Sequence, residues 1–310
     1  MRGALLLAMS LLVGLPGVAK AWSRPGHMVT AAIAYDEIGR RRPDLLPVLA
    51  ALLDAHPDRA PFEVAIDRTT GAERQRRMFL ECARWPDDAR ETVYDHPTWH
   101  ASASAVVAAD AGPAVRADVE RRQGVASGEA VEAFALNVHQ FGNRRASPAE
   151  RAQALCWVLH IVGDIHQPLH TAERFSAAWP DGDRGGGLPQ VLDPLTHEPI
   201  SLHWLWDDSV NRSGVAADVD RRAREIAAAH PRPSLPQLSA RSFLAWRRES
   251  YELAQVLAYG PGPSTSRDPK AAPALTASDW SAVRAAAETR VALAGYRMAD
   301  TVIAALDASR

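Results

Sequence analysis

Apolar positions recur every three or four residues along most of this chain, and strand-like alternation is scarce, so the pattern points to helices. Residues 22–38 continue from a polar opening into Val29, Ala32, Ile33 and Tyr35, and residues 43–55 carry Leu45, Leu46, Val48, Leu49, Leu52 and Leu53. A polar, Arg-rich stretch leads to Met78-Phe79-Leu80 and then to Trp85-Pro86-Asp87-Asp88-Ala89-Arg90. Residues 94–100 read as a loop, 103–128 as an Ala-, Gly- and Arg-rich surface excursion with some helix, and 129–140 as helix. Ser147-Pro148-Ala149-Glu150 is a helix start: Ser147 suits the cap, Pro148 the first turn, and Glu150 the carboxylate that reaches back. Residues 181–199, dense in Gly, Asp and Pro, form a long loop; 242–259 are an amphipathic helix and 260–273 a linker. Thr276 and Asp279 cap a last helix running to about residue 308. No internal repeat is visible. The expectation is an all-α fold in one domain over residues 22–310.

Within the helix begun at Ser147, Leu155, Val158, Leu159 and Val162 mark the buried face, and His160 and Asp164 fall four residues apart. An imidazole and a carboxylate stacked that way can grip one metal ion from one side. Pro168 disturbs the helix, and His170 stands just beyond it. A second pair, His203 and Asp207, has the same spacing.

Composition narrows the setting. The chain has 310 residues, 47% hydrophobic and 23% charged, with a formal net charge of −2. No global basic field announces nucleic acid, so a polyanion has to be held by a local site. Lys occurs only at positions 20 and 270, a uniform preference for Arg that reads as coding bias. Residues 1–21 have the form of an export signal: Arg2, an apolar run from Ala4 to Val18, and the small-x-small sequence Ala19-Lys20-Ala21. The run is too short for a membrane anchor. Cleavage between Ala21 and Trp22 leaves a secreted or periplasmic protein that begins at Trp22. Cys82 and Cys156 are either one disulfide or two buried thiols; their spacing leaves both open.

The candidate ligands are Trp22, His27, Asp87, His100, His160, Asp164, His170, His203 and Asp207. Five His and three Asp are too many for one tetrahedral zinc and enough for two or three. Their order, Trp22…Gly26-His27, Trp85-x-Asp87, Trp99-His100, His160-x3-Asp164-x-x-Gln167-Pro168-Leu169-His170, Leu202-His203-x-x-Trp206-Asp207, resembles the S1/P1 nucleases. These belong with zinc-dependent phospholipase C in one all-α superfamily. The resemblance extends to Ala294-Gly295-Tyr296-Arg297-Met298-Ala299, and so covers nearly the whole mature chain.

That resemblance implies a helical fold around three zinc ions. Asp87, His100, His160 and Asp164 would hold the first, and His170, His203 and Asp207 the second. The third would take the free amine and carbonyl of Trp22 with His27, and Asp164 would bridge to it. It implies hydrolysis of single-stranded DNA and RNA by a zinc-bridging hydroxide, and possible removal of 3′-terminal phosphates. Asp87 and Asp164 would be catalytic, and Arg90 would lie near the phosphate. No stable protein partner is implied. The signal sequence agrees: its cut frees the amine of Trp22, whose ordinary pKa near 7.7–8.0 lets it lose its proton to zinc.

Two positions depart from the family. Ala103 stands where Asp or Asn is usual, and Gly187 where Gly-Gly-Asn ends in Asn, which puts rate and base preference in doubt but not metal binding. His166 is expected behind the ligands or on the surface, and His56, His96, His139, His197 and His230 outside the site. One or two of the nine Trp are candidates for stacking nucleobases. The rival readings are a phospholipase C, disfavoured because those enzymes place Glu at the Asp207 position, and a non-catalytic exported zinc-binding protein.

Overall fold

The apolar periodicity resolves into helices that bury their stripes against one another, in a computed structural model that describes residues 22–260 and 264–308. The expected export signal at 1–21 lies outside the described residues. The helices are α1 (Arg24–Arg41), α2 (Leu45–Asp54), α3 (Ala60–Ile66), α4 (Gly71–Asp88), α5 (Pro113–Arg121), α6 (Ala130–Gly142), α7 (Pro148–Asp164), α8 (Leu202–Asp207), α9 (Ala216–Ala229), α10 (Phe243–Leu253) and α11 (Ala277–Ala308). The fold is thus predominantly helical, as the pattern requires. Helix α4 occupies the polar, Arg-rich stretch. Its charge hides a buried face of Met78, Phe79, Leu80, Cys82 and Trp85, while Arg76 and Arg84 pair outward with Asp220 and Asp88.

Helix α1 packs on α4, α9 and α11, and α7 packs on α4 and α6, so α7 and α1 form the centre. Twelve of the seventeen residues of α7 are buried, including His160 and Asp164. One large cluster holds Trp22, Trp85, Trp157, Phe79, Phe141 and Val291 with no appreciable exposure. Each such side chain contributes about 1.5–3 kcal/mol through burial. Cys82 of α4 and Cys156 of α7 form a disulfide, which settles the alternative that their spacing left open.

The residues after α10 continue as a short π-helix, Ala254–Ala258, so the expected helix over 242–259 is present in two forms. Thr276 accepts the Asp279 amide and starts α11 as expected.

Five short strands were not legible in the pattern: β1 (Ala103–Val107), β2 (Val125–Ser127), β3 (Ala172–Phe175), β4 (Gln190–Leu192) and β5 (Pro199–Ser201). The surface excursion at 103–128 is therefore β1-α5-β2 rather than loop and helix alone. Strand β1 pairs antiparallel with β2 and parallel with β3, in register from Ser104 opposite Ala172 to Val107 opposite Phe175. Strand β4, inside the expected long loop, pairs antiparallel with β5, which begins at the end of that loop. The three-stranded sheet matters for the site because β1 begins three residues after His100 and β3 two residues after His170.

Candidate metal centre

Each ligand-type side chain is aimed by a local device. Ser147 and Glu150 form the expected capping box, fixing the start of α7 and hence the phase that turns His160 and Asp164 to one side. Asp87 lies in the last turn of α4, and His100 ends a short 3-10 turn, Pro97–His100. His170 ends another, Pro168–His170, capped by the Gln167 side chain, which accepts the Leu169 amide. Ser201 caps α8, which carries His203 and Asp207. His27 lies in the first turn of α1.

These eight side chains, from six segments, converge in the interior; none is more than 3% exposed. Asp164 is the hub. Its Oδ1 lies 3.1 Å from His27 Nε2, and its Oδ2 lies 3.2 Å from both His100 Nδ1 and His160 Nε2. His160 Nε2 and His100 Nδ1 are 2.9 Å apart. A second group has His170 Nε2 at 3.1 Å from His203 Nε2, and His203 Nε2 at 3.4 Å from Asp207 Oδ2. A third combination brings His27, Asp87 and His160 together, with ligand atoms all within 4.8 Å of one another.

Main-chain carbonyls fix the tautomers. A carbonyl only accepts, so His160 Nδ1 donates to Ala83 O at 2.8 Å, His170 Nδ1 to His100 O at 2.6 Å, and His203 Nδ1 to Gly185 O at 2.6 Å. Each ring therefore turns its Nε2 inward, the arrangement that orients metal-binding imidazoles. The Nε2 atoms of His170 and His203 then face each other across 3.1 Å. Two lone pairs held that way repel unless a proton or a metal cation lies between them. Tetrahedral zinc with nitrogen ligands at about 2.0–2.1 Å places those nitrogens roughly 3.3 Å apart.

Orphaned polar atoms say the same. His27 Nδ1 and Nε2, Asp87 Oδ2, His100 Nε2, Asp164 Oδ1 and Asp207 Oδ2 are buried without a hydrogen-bond partner among the described residues. Such groups cost free energy when buried bare. Burial holds His27 below the ordinary imidazole range and lowers His100 to about 4, so both are neutral. Burial alone would raise Asp164, but His160, His100 and His27 outweigh it and keep the carboxyl well below its usual range. Asp207 is pushed well above that range by burial, which the Gln167 amide offsets only in part. A carboxylate in that position lacks a positive partner. The donor set of imidazole and carboxylate suits zinc, and the residues fit it.

Trp22 is fully buried, its indole N–H donating to Gly163 O at 3.0 Å, and Ser23 N–H donates to Asp207 O at 3.2 Å. The backbone at Trp22 therefore stands between the two motif helices. Arg90 is not a solvated surface cation. It is only 15% exposed and its Nη2 lies 2.9 Å from Asp87 Oδ1. His166 is not on the surface: it is fully buried, donates to Val162 O and accepts from Arg297 at 2.9 Å. Arg297 and Arg290 of α11 pair in turn with Glu249 of α10. His96 stacks on Trp99 at 3.7 Å. Neither it nor His56, His139, His197 or His230 belongs to a ligand group among the described residues.

Two glycines were not singled out in the sequence, and Gln167 was quoted in the motifs without a role. Gln167 links them, donating to Asp207 Oδ1 at 2.7 Å while capping the His170 turn. Gly163 leaves room for His27, because a Cβ there would lie 2.8 Å from His27 Nδ1. Gly185 turns at φ +59°, where a Cβ would come within 2.6 Å of Leu169 O, and so delivers its carbonyl to His203. Only the glycine run itself signalled this turn in the sequence.

The family model described as S1/P1 Nuclease matches residues 22–307. A comparison with curated proteins found no match. The match spans nearly all of the chain and every converging side chain above, and the chain belongs to the S1/P1 nuclease family.

Proposed function

We propose that this protein is an exported, zinc-dependent phosphodiesterase that hydrolyses single-stranded DNA and RNA. The observation that carries the reading is the inward pair of Nε2 atoms on His170 and His203, 3.1 Å apart and each ring fixed by a carbonyl behind it. Three zinc ions would be held by Asp87, His100, His160 and Asp164, by His170, His203 and Asp207, and by Trp22, His27 and Asp164. Bound zinc supplies a Lewis acid for the phosphoryl oxygens and a water acidic enough to attack near neutral pH.

The chain's own residues do the rest. Asp164 ties His27, His100 and His160 to one carboxylate, so groups from three segments keep a common geometry. Asp87 anchors Arg90, whose guanidinium then offers planar donors to a phosphate beside the centre. The ligand side chains are at most 3% exposed, and their removal from water strengthens each electrostatic contact. A formal net charge of −2 gives no long-range attraction for nucleic acid, so the local cluster has to supply it.

The test is hydrolysis of single-stranded DNA, duplex DNA, RNA and phosphatidylcholine by the protein beginning at Trp22 and loaded with zinc. Single strands should be cut much faster than duplex, because the phosphate must enter a cleft while its neighbouring base leaves the stack. Equal rates on single strand and duplex would contradict the substrate reading. Preferential release of headgroup from phosphatidylcholine would replace it, and zinc binding without turnover would leave a binding protein.

A further inference from the structure

A cavity beside the metal-binding imidazoles carries polar groups in its lining. The cavity there has a volume of about 220 Å³. His100, His170 and His203 line it together with the apolar Pro97, Ala101, Ala103 and Leu169 and the polar Ser127, Glu173 and Arg184. Ala103 contributes only a methyl group. A cavity of that volume with apolar and polar groups in its lining, beside the metal-binding imidazoles, has room for a planar ring.

Glu173 is the group that gives the pocket chemistry. It sits on β3, is 8% exposed, and accepts the Arg184 amide at Oε1 (3.1 Å) and the Ser127 hydroxyl at Oε2 (3.4 Å). Two oxygens offer about four acceptor positions, so these bonds hold the carboxylate in place and leave each oxygen able to accept again. Burial pushes the carboxyl above its usual range, opposed by the Arg184 amide and Ser127. Further donors are what this carboxylate lacks. The Arg184 side chain is exposed at the cavity, and its charge opposes the effect of burial on Glu173.

We infer that Glu173 makes this cavity a guanine subsite, reading the base next to the scissile phosphate. Resting on the proposed function, the inference adds a specificity that Ala103 cannot supply. Guanine alone presents two adjacent donors, N1–H and N2–H, on its Watson–Crick edge, and a carboxylate accepts both at once. Adenine, cytosine and uracil each set an acceptor against one of the two oxygens. A single strand exposes that edge, as recognition of unpaired bases requires. Arg184, at the rim, is placed for the flanking phosphate.

The test uses zinc-loaded protein, wild type and Glu173→Gln, on single-stranded oligothymidine hexamers carrying one guanine, adenine or cytosine at each position in turn. Calorimetric binding of the four nucleoside 5′-monophosphates runs in parallel. The wild type should favour guanine over adenine by about ten-fold or more in kcat/KM at one position relative to the cut, the scale of one bidentate base contact. Glu173→Gln keeps an oxygen for the Arg184 amide but sets a donor against guanine, so the ratio should fall to near one. If Glu173 only holds the 182–185 turn, the variant slows all bases equally and the inference is overturned. A wild type without guanine preference also overturns it. Selective binding of guanosine monophosphate without any strand cleavage would remove the proposed function and leave the guanine pocket standing.

Discussion

Replacing Gly163 by Ala separates a metal-site account of α7 from a simple helical one. In an exposed helix interior this change stabilises by about 1 kcal/mol, because Ala is the better helix former. Here the added Cβ would lie 2.8 Å from His27 Nδ1, 3.0 Å from its Cε1 and 3.9 Å from Trp22 Cδ1. The His27 ring has nowhere easy to go: it is fully buried and stacked on His160 with centroids 4.0 Å apart. Ordinary carbon contacts of about 3.5 Å require the ring to retreat by roughly half an ångström or more. Overpacking of that kind costs about 1–3 kcal/mol. Set against the helix gain, the net loss should be about 0–2 kcal/mol, small enough for the protein to fold. The larger effect falls on metal content, since the retreat pulls His27 Nε2 away from Asp164 Oδ1, now 3.1 Å distant. The assay is elemental analysis of refolded protein alongside urea unfolding with and without chelator. Loss of one zinc per chain at near-wild-type apo stability is expected. A variant that keeps all its zinc and gains about 1 kcal/mol would refute the reasoning and make Gly163 an ordinary helical residue.

Further outcomes follow from the same structure. Replacing both Cys82 and Cys156 by Ser should cost about 4 kcal/mol in urea unfolding, since the bridge closes a loop across a sequence separation of 74 and ties α4 to α7 one turn before His160; a loss under 1 kcal/mol would show that packing alone holds the pair. Glu81, 3% exposed, is pushed up to about 7 by burial, with Arg84 opposing. The folded state therefore holds this proton more tightly than the unfolded one, and stability falls as pH rises from about 4.5 to 7, then levels off. Glu81→Gln should remove that fall and gain about 1–3 kcal/mol over wild type at pH 8 but little at pH 4.5, as read by thermal unfolding; an advantage independent of pH would exclude Glu81 as its source. A Met or tag left ahead of Trp22 replaces the amine by a peptide nitrogen, and should remove one zinc and lower kcat about 10²-fold, with recovery on tag cleavage. Unchanged zinc and turnover in the extended protein would rule out the amine as a ligand.

What the sequence revealed was what is local. The capping box at Ser147 and Glu150, and the pairs His160/Asp164 and His203/Asp207, each lie within one or two helical turns, where side-chain direction follows from spacing. The ordered motifs then identified the family. The strands were hidden because β1 is stabilised by β3, paired in parallel across nearly seventy positions, and a five-residue segment carries little alternation by itself. Helix α4 was masked by its arginines, which face outward and pair with acids. Close approaches left no trace at all: nothing in the sequence says that His27 lies against Gly163, or that Gln167 joins Asp207 to the His170 turn. The pairing of Cys82 with Cys156 needed the packing of α4 on α7.

The central claim is that these ligands assemble one hydrolytic zinc centre, and its most direct test is a titration of activity against bound zinc. Chelated protein beginning at Trp22 is supplied with zinc in measured steps, and single-strand cleavage is plotted against zinc per chain. The stripped protein should show no cleavage, and the rate should level off near three zinc ions per chain. Full cleavage by stripped protein, or a plateau at one ion, would contradict it.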